Sequence, residues 1–378
     1  SVPGFLANLV AIPVVSMLVV PLILLALPLL WLTVPLAPWL LSAAGYVMQG
    51  LIGFLEFVAQ LQPASLAATR TPGLVATLLA MLGGVILTLP RGVKWRYTGL
   101  LLIVPLLLPP RPQPGPGETQ VDLLDVGQGL AVLVTGEGMQ VLYDTGPGNG
   151  LPGEERWDLV DGTIAPMINA TGHQPDLVVA SHADLDHSGG LQRLLDVYPG
   201  SRFTGSFPEP VAGVAPCIAP RDWRAGQYSL SILHPSAGLP YLGNASSCTL
   251  SIRGHGMSIL LGGDINTAVE QRLAVEGLGP HDLLVAPHHG SSTSSSQVLL
   301  DATQPALALV SAGADNRFGL PHRDVLIRLE RAGIPVVNTA RCGGLRINAG
   351  AGGLYNIESA RTERRAIWRY PAHGSCPR

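Results

Sequence analysis

The 378-residue sequence has little charge. Lys, Arg, Asp and Glu together make up 13% of it, against about 25% in an ordinary soluble domain. That argues against a plain cytosolic enzyme. The deficit is local, because residues 1–110 hold only five charges: Glu56, Arg70, Arg91, Lys94 and Arg96. No histidine precedes His173 and no cysteine precedes Cys217. The four cysteines form no CxxC pair, which argues against a structural zinc ribbon and leaves a disulfide in an oxidising compartment open. Net charge is +3 over residues 1–110 and −6 over the remainder. No broad basic face therefore announces nucleic-acid binding. There is no internal repeat.

Long apolar runs fill the first part. Leu9 to Leu32 is free of charge over 24 residues, enough to cross a hydrocarbon layer of ~30 Å. Its Pro13, Pro21 and Pro28 would break a soluble helix but are tolerated where neighbouring helices satisfy the freed backbone groups. Trp39 to Gln60, interrupted by Glu56, reads as a second span, and Gly73 to Leu89 as a short third. Tyr97 to Leu108 is a weak fourth. The first run lacks the basic start and small-residue cleavage site of a signal peptide. Arg91, Lys94 and Arg96 form the dense basic loop, which the positive-inside rule places in the cytoplasm. If the fourth segment spans, residue 111 onward lies outside; if it lies on the surface, the rest is cytoplasmic. Spanning is the expectation.

Residues 111–117, within the Pro/Gly-rich run from Pro109, read as an extended linker. Beyond it, short β-branched runs alternate with Gly-rich turns. Val121–Leu124, Ala131–Val134, Gln140–Tyr143, Leu177–Ala180, Ser229–Leu233, Thr249–Ile252, Ser258–Leu261, Leu283–Ala286 and Leu307–Ser311 predict strands. Leu191–Val197, Ala268–Glu276 and Arg323–Arg331 predict helices. Many strands with fewer helices suggest two sheets flanked by helices.

The chemistry concentrates after Leu177–Ala180, in Ser181-His182-Ala183-Asp184-Leu185-Asp186-His187-Ser188-Gly189-Gly190. Four potential ligands lie within six residues at a strand end. His182 and Asp184 are two apart, and Asp186 and His187 are adjacent, so a tight loop can send two groups toward each of two metal positions. Imidazole mixed with carboxylate suits Zn, Mn or Fe, and the extra carboxylate tilts the set toward a harder ion such as Mn²⁺. The blander reading makes the loop a helix cap with Asp186 or Ser188 as N-cap. Capping needs one such residue, not four.

This loop resembles the HxHxDH signature of the metallo-β-lactamase superfamily in an HxDxDH variant. Three further strand-end motifs follow that family's order. Asp144-Thr145-Gly146 after Gln140–Tyr143 looks like its early turn, whose Asp supports the metal loop. Gly262-Gly263-Asp264 after Ser258–Leu261 is similar to the motif whose Asp bridges two metals. Pro287-His288-His289-Gly290-Ser291 looks like the final ligand motif. The usual third-motif histidine is missing: Asn244-Ala245-Ser246-Ser247-Cys248 stands there, flanked at a distance by His234 and His255.

A narrower resemblance accounts for these departures. The run Leu124-Asp125-Val126-Gly127-Gln128-Gly129, the HxDxDHxGG loop, Asn244-x-x-Ser247 and Pro287–Ser291 look like ComEC-type DNA-internalisation competence proteins. Asn316 to His322 resembles that family's N-x-[FY]-GHPH stretch, with Leu320 in place of its first His. The Asn8–Pro13 start looks like the last part of the family's membrane domain, most of which would precede Ser1.

The resemblance implies an α-helical membrane segment (1–110) and, after the 111–117 linker, an α/β metallo-β-lactamase-like domain (118–360). That domain would be an αββα sandwich of two mixed sheets flanked by helices, with a basic tail at 361–378. It implies a bacterial inner-membrane, multi-pass DNA-uptake protein with its hydrolase domain on the periplasmic side. Its implied partners are single-stranded DNA, the lipid bilayer and other competence-machinery proteins. The domain would be a metal-dependent phosphodiesterase that degrades the non-imported strand, with two divalent ions, Mn²⁺ favoured and Zn²⁺ or Mg²⁺ possible. His182, Asp184 and a late histidine would hold one ion, Asp186 and His187 the other, and Asp264 would bridge them; His289 matches the final ligand. Asp186, His187 and Asp264 would be catalytic. His288, Ser291 and His322 would contact substrate, while Asp144, Asn244 and Ser247 would support the ligands. The tail from Arg361 to Tyr370 interleaves Arg with aromatics and could meet a nucleic-acid strand. Two other readings compete: a translocation protein whose domain binds metal or DNA without cutting, and a different hydrolase of the same fold.

Overall fold

The computed structural model describes residues 2–60, 74–107, 114–149, 157–350, 352–363 and 376. The chain divides into two compact units, residues 1–110 and 111–378.

In the first unit, helix Val2–Val14 runs through a π-helical segment, Val15–Val19, into helix Val20–Trp31. The π segment lies between Pro13 and Pro21, where missing donors disturb the regular ladder. Ala7–Trp31 and Leu36–Val58 are long and apolar enough to cross a membrane. Glu56 lies exposed near the end of the second. The expected third and fourth spans contain helices Leu74–Leu87, of 14 residues, and Thr98–Leu107, of 10, the latter preceded by a 3-10 turn at Lys94–Tyr97. Fourteen residues rise only ~21 Å, short of a ~30 Å core. Gly73 and Leu108, the outer ends of those expected spans, lie outside the described residues.

The second unit is built on two mixed sheets. The strands are β1 Thr119–Leu123, β2 Val132–Gly136, β3 Met139–Tyr143, β4 Leu177–Ala180 and β5 Arg202–Gly205. Then follow β6 Ala215–Pro216, β7 Arg221–Ala225, β8 Tyr228–His234, β9 Thr249–Gly254 and β10 Met257–Leu261. The last five are β11 Leu283–Val285, β12 Leu307–Val310, β13 Val336–Asn338, β14 Leu345–Gly350 and β15 Gly353–Ser359. One sheet has the order β15-β14-β1-β2-β3-β4-β5-β6 and the other β13-β12-β11-β10-β9-β8-β7.

Period-2 alternation sorts the side chains into layers. Val141 and Tyr143 of β3 meet Ile259 and Leu261 of β10 in the core between the sheets. The intervening Leu142 packs outward with Ile164, Ile168, Leu191 and Leu194. Leu260 packs outward on the other side with Leu299, Leu300, Val325 and Leu329. The result is the αββα sandwich that the family resemblance implies. Helices Leu191–Val197 and Arg323–Arg331 and strand β4 match their sequence expectations residue for residue. Strands β5, β6, β7, β13, β14 and β15 were not expected. Several are short or exposed: β7, for example, carries Arg221, Asp222 and Arg224 outward at the sheet edge, where hydrophobic alternation is weak.

This topology positions the site. Strands β3 and β4 are parallel neighbours in one sheet, and β10, β11 and β12 are parallel neighbours in the other. The turns that follow them carry Asp144, His182, Asp264, His289 and Ser311. All four cysteines are paired, as Cys217–Cys248 and Cys342–Cys376. The first bridge joins the start of β9 to the residue after β6, across the two sheets.

Candidate metal centre

Asp144 follows β3 with φ of 60°, a conformation unusual for a non-glycine residue. Its amide still donates to Val179 O at 2.7 Å, so the ladder extends one residue past the strand. Its fully buried carboxylate accepts from the Ser181 amide (2.6 Å) and hydroxyl (2.9 Å) and lies 2.7 Å from His187 Nδ1. One carboxylate thus ties both ends of the Ser181–His187 loop to β3.

Three imidazoles are held in the same sense. A carboxylate accepts, so His187 donates from Nδ1 to Asp144. A carbonyl accepts, so His289 donates from Nδ1 to Ser311 O at 3.0 Å. His182 Nδ1 lies 3.0 Å from Ser181 Oγ and 3.3 Å from Ser247 Oγ. Those hydroxyls spend their protons on Asp144 and on Asn244 O (2.7 Å), so His182 donates from Nδ1 as well. In each ring Nε2 points away from that partner, the arrangement that orients histidine toward a metal.

These nitrogens converge. His187 Nε2 and His289 Nε2 are 3.2 Å apart, and His187 Nε2 is 3.2 Å from Asp264 Oδ1. His289 Nε2 is 3.4 Å from Asp186 Oδ2. Ligand atoms of His182, His187 and Asp264, and likewise of Asp186, His187 and His289, lie within 4.8 Å of one another. His182 Nε2 and Asp264 Oδ1 are buried without a hydrogen-bond partner. Such atoms cost roughly 1–3 kcal/mol each when left unmet, and a cation between them removes that cost. The nitrogen and oxygen donor set therefore fits divalent ions.

Electrostatics agree. Burial pushes the His187 pKa down, but the Asp264 and Asp144 carboxylates outweigh it and hold the imidazole well above its ordinary value. Burial alone would raise the Asp264 pKa, yet His187, His289 and His182 pull it well below the carboxylate range.

Glycines let the loops close. Gly263 has φ of +59°, and a Cβ there would lie 2.8 Å from Ser181 Cβ and 2.9 Å from Ser247 Cβ. A Cβ on Gly129 would lie 2.5 Å from Asp186 O, the carbonyl that accepts from the Leu130 amide at 3.1 Å. The Gly-Gln-Gly opening thus presses the backbone of the metal loop into place.

The remaining expected residues divide. Asp184 is exposed, with Oδ2 3.5 Å from His182 Nε2, and belongs to neither tight group. Asn244 Nδ2 lies 3.4 Å from Asp264 Oδ2 and 3.3 Å from His288 Nε2, and Ser247 Oγ accepts from the Asp264 amide at 3.0 Å. His288 Nε2 is 3.6 Å from Asp264 Oδ2. The expectation that a late histidine joins His182 and Asp184 is corrected for His289, which groups with Asp186 and His187. The Ser311 carbonyl, out of sight in the sequence pattern, fixes that direction.

Ser291 turns to Thr293 Oγ1 at 3.1 Å, beside His288 Nδ1. His322 caps helix Arg323–Arg331 through Nδ1, while its amide donates to Gly290 O. His234 bonds Ala245 O, and His255 packs edge-on against Tyr228; neither joins the cluster. The capping alternative for the His/Asp loop fails, since helices Leu185–Ser188 and Leu191–Val197 have no side-chain cap bond. Most of the Arg361–Tyr370 stretch lies outside the described residues. Two supporting groups were missed in the sequence, the Ser181 hydroxyl and Tyr241, whose hydroxyl accepts from the Ala183 amide at 3.0 Å. No spacing signal marks Tyr241.

Comparison with known proteins agrees with this geometry. The family model described as Competence protein matches residues 1–93, and that of the Metallo-beta-lactamase superfamily matches residues 124–313. Competence protein ComA of Neisseria gonorrhoeae is 34% identical over 354 residues, 92% of this chain and 48% of that protein. Recombination protein 2 of Haemophilus influenzae is 31% identical over 400 residues, 96% of this chain and 48% of that protein. The chain spans about half the length of these curated relatives. Among solved structures, the metallo-beta-lactamase fold protein YhfI of Bacillus subtilis is 12% identical, covering 58% of this chain and 95% of that one, with a TM-score of 0.39. The chain belongs to the metallo-β-lactamase superfamily, and its metallo-β-lactamase domain follows an apolar segment that matches the competence protein family.

Proposed function

We propose that this chain is the C-terminal part of a DNA-uptake protein for natural transformation, and that its hydrolase domain is a metal-dependent DNA phosphodiesterase. The observation that carries the reading is the convergence of Nε2 atoms from His182, His187 and His289 on Asp186 and Asp264. His182, Asp184 and Asp264 would hold one ion and Asp186, His187 and His289 the other, with Asp264 within reach of both groups. Two divalent ions held there, Mn²⁺ in the first instance, would supply Lewis acidity and a more acidic water to the site.

The chain's own residues do the rest. Asp144, Ser247 and Ser311 fix the ligand rings, so the site needs little rearrangement when substrate arrives. Asn244 holds Asp264 and His288 together, and His288, Ser291 and His322 contact the strand. The membrane unit contributes to the DNA channel, and the domain degrades the strand that is not imported. The two disulfides favour an oxidising location, consistent with a domain on the periplasmic side of the inner membrane and with other competence-machinery proteins as neighbours.

One observation favours a second reading, in which the domain binds metal or DNA without cutting. Asn244 Nδ2, a donor, lies on Asp264, in the stretch where the superfamily usually supplies a histidine ligand. The chain purified in detergent, incubated with single- and double-stranded DNA, a generic phosphodiester and a β-lactam across Mn²⁺, Mg²⁺ and Zn²⁺, separates these. Metal-dependent DNA cleavage is expected. Activity confined to the β-lactam would overturn the nuclease reading, and DNA binding without any cleavage would favour the second.

A further inference from the structure

We propose that Tyr241 is a catalytic residue, its hydroxyl donating a hydrogen bond to the phosphoryl group of the substrate; this rests on the phosphodiesterase reading.

Tyr241 lies in the segment that leads from β8 to the 3-10 turn Gly243–Ser246. The same segment delivers Asn244 to Asp264, three residues later. The Tyr241 oxygen accepts from the Ala183 amide at 3.0 Å. Ala183 is the residue between His182 and Asp184, so the hydroxyl sits at the rim of the centre, against the backbone that joins two expected ligands. The residue before Ala183 is His182, whose Nε2 is a buried atom without a partner.

The hydrogen-bond inventory gives the direction of the donor. A phenol has one proton to donate and lone pairs to accept with. The Ala183 amide, a donor only, occupies a lone pair. Among the described residues no hydrogen-bond acceptor is assigned to the Tyr241 proton. An acceptor that arrives with substrate satisfies it. A phenol ordinarily titrates at ~10, so the group is a donor at neutral pH.

The chemistry fits a phosphoryl oxygen. Phosphodiester cleavage gathers negative charge on the oxygens around phosphorus, and a donor fixed beforehand stabilises that charge without reorganisation. The amide holds the oxygen in place, and accepting one bond polarises the O–H for donating another. The ring is half-buried, flanked by the exposed Leu239 and Leu242.

Y241F keeps the ring and removes the donor. It is expected to lower kcat on DNA and on a generic phosphodiester alike by about 10–100-fold, toward the low end of the cost of losing an oxyanion donor because the site is partly open. KM should stay within about threefold, and Mn²⁺ affinity, measured by calorimetry on the chain in detergent, within about twofold. Inorganic phosphate in the presence of Mn²⁺ should bind about fivefold more weakly. Unchanged kcat and phosphate affinity would overturn the proposal. A matched loss of Mn²⁺ affinity would also overturn it, since Tyr241 would then only position the metal loop through Ala183. If the unaltered chain binds phosphate but cuts no DNA, the phosphodiesterase reading fails. The phosphate affinities of the two chains then still decide whether Tyr241 is a phosphate donor.

Discussion

Oδ2 of Asp144 lies 2.7 Å from Nδ1 of His187, both side chains fully buried. This contact sets the ring's tautomer and the strength of its Nε2 as a ligand. Asp144→Asn removes the charge while preserving the shape. The expected outcome is Mn²⁺ binding weaker by about 10–100-fold, with the fold retained. Calorimetric titration together with far-ultraviolet circular dichroism checks it, and unaltered affinity would remove Asp144 from its supporting role.

Metal binding should release protons and strengthen as pH rises. Burial lowers the His187 pKa, but Asp264 and Asp144 together raise it well above the ordinary value, which favours the protonated ring in the metal-free chain. A cation must displace that proton, and affinity should climb about tenfold per pH unit until the raised pKa is passed. The same sign governs the stability of the metal-free chain. A raised folded-state pKa contributes stability fully below the unfolded value of about 6.5, and that contribution is lost as pH rises through the folded value. Titrations in buffers of different ionisation enthalpy measure the proton release directly.

Asp186→Ala and Asp264→Ala, made singly, should each abolish Mn²⁺-stimulated cleavage. Asp264 Oδ1 lies against the His187 ring, while Asp186 meets His289. Retained activity in either variant would remove that residue from the catalytic set.

Gly263→Ala places a methyl within 3 Å of both Ser181 and Ser247 at a left-handed φ. It should destabilise the fold by about 1–3 kcal/mol. Mn²⁺ affinity should fall with it, because the two serines hold His182. A thermal unfolding midpoint equal to that of the unaltered chain would show that the turn yields without cost.

The Cys217–Cys248 bridge joins residues 31 apart in the chain, and Cys248 follows directly on Ser247. Replacing both cysteines with serine should cost about 3–4 kcal/mol on the chain-entropy model. Urea unfolding of the chain in detergent, compared with and without reductant, reads this out.

Much of this was legible in the linear pattern, for physical reasons. Charge cannot be hidden cheaply in hydrocarbon, so the apolar segment before Pro109 shows itself by composition. Four potential ligands within six residues after β4 need no partner elsewhere to be recognised. Continuous β-branched and apolar runs marked the central strands because both their faces are buried. The weakly patterned strands β5, β6, β7, β13, β14 and β15 gain their place from neighbours and carried no such mark. The sequence by itself determined which residues could hold a metal and the order in which strands deliver them. Only the tertiary structure decided how they group. His289 joins Asp186 and His187 because the Ser311 carbonyl, 22 residues away in the chain, fixes its ring. Tyr241 meets the metal loop 58 residues from Ala183 for the same kind of reason. Hydrogen bonds between distant turns set the direction of a side chain, and no local spacing encodes them.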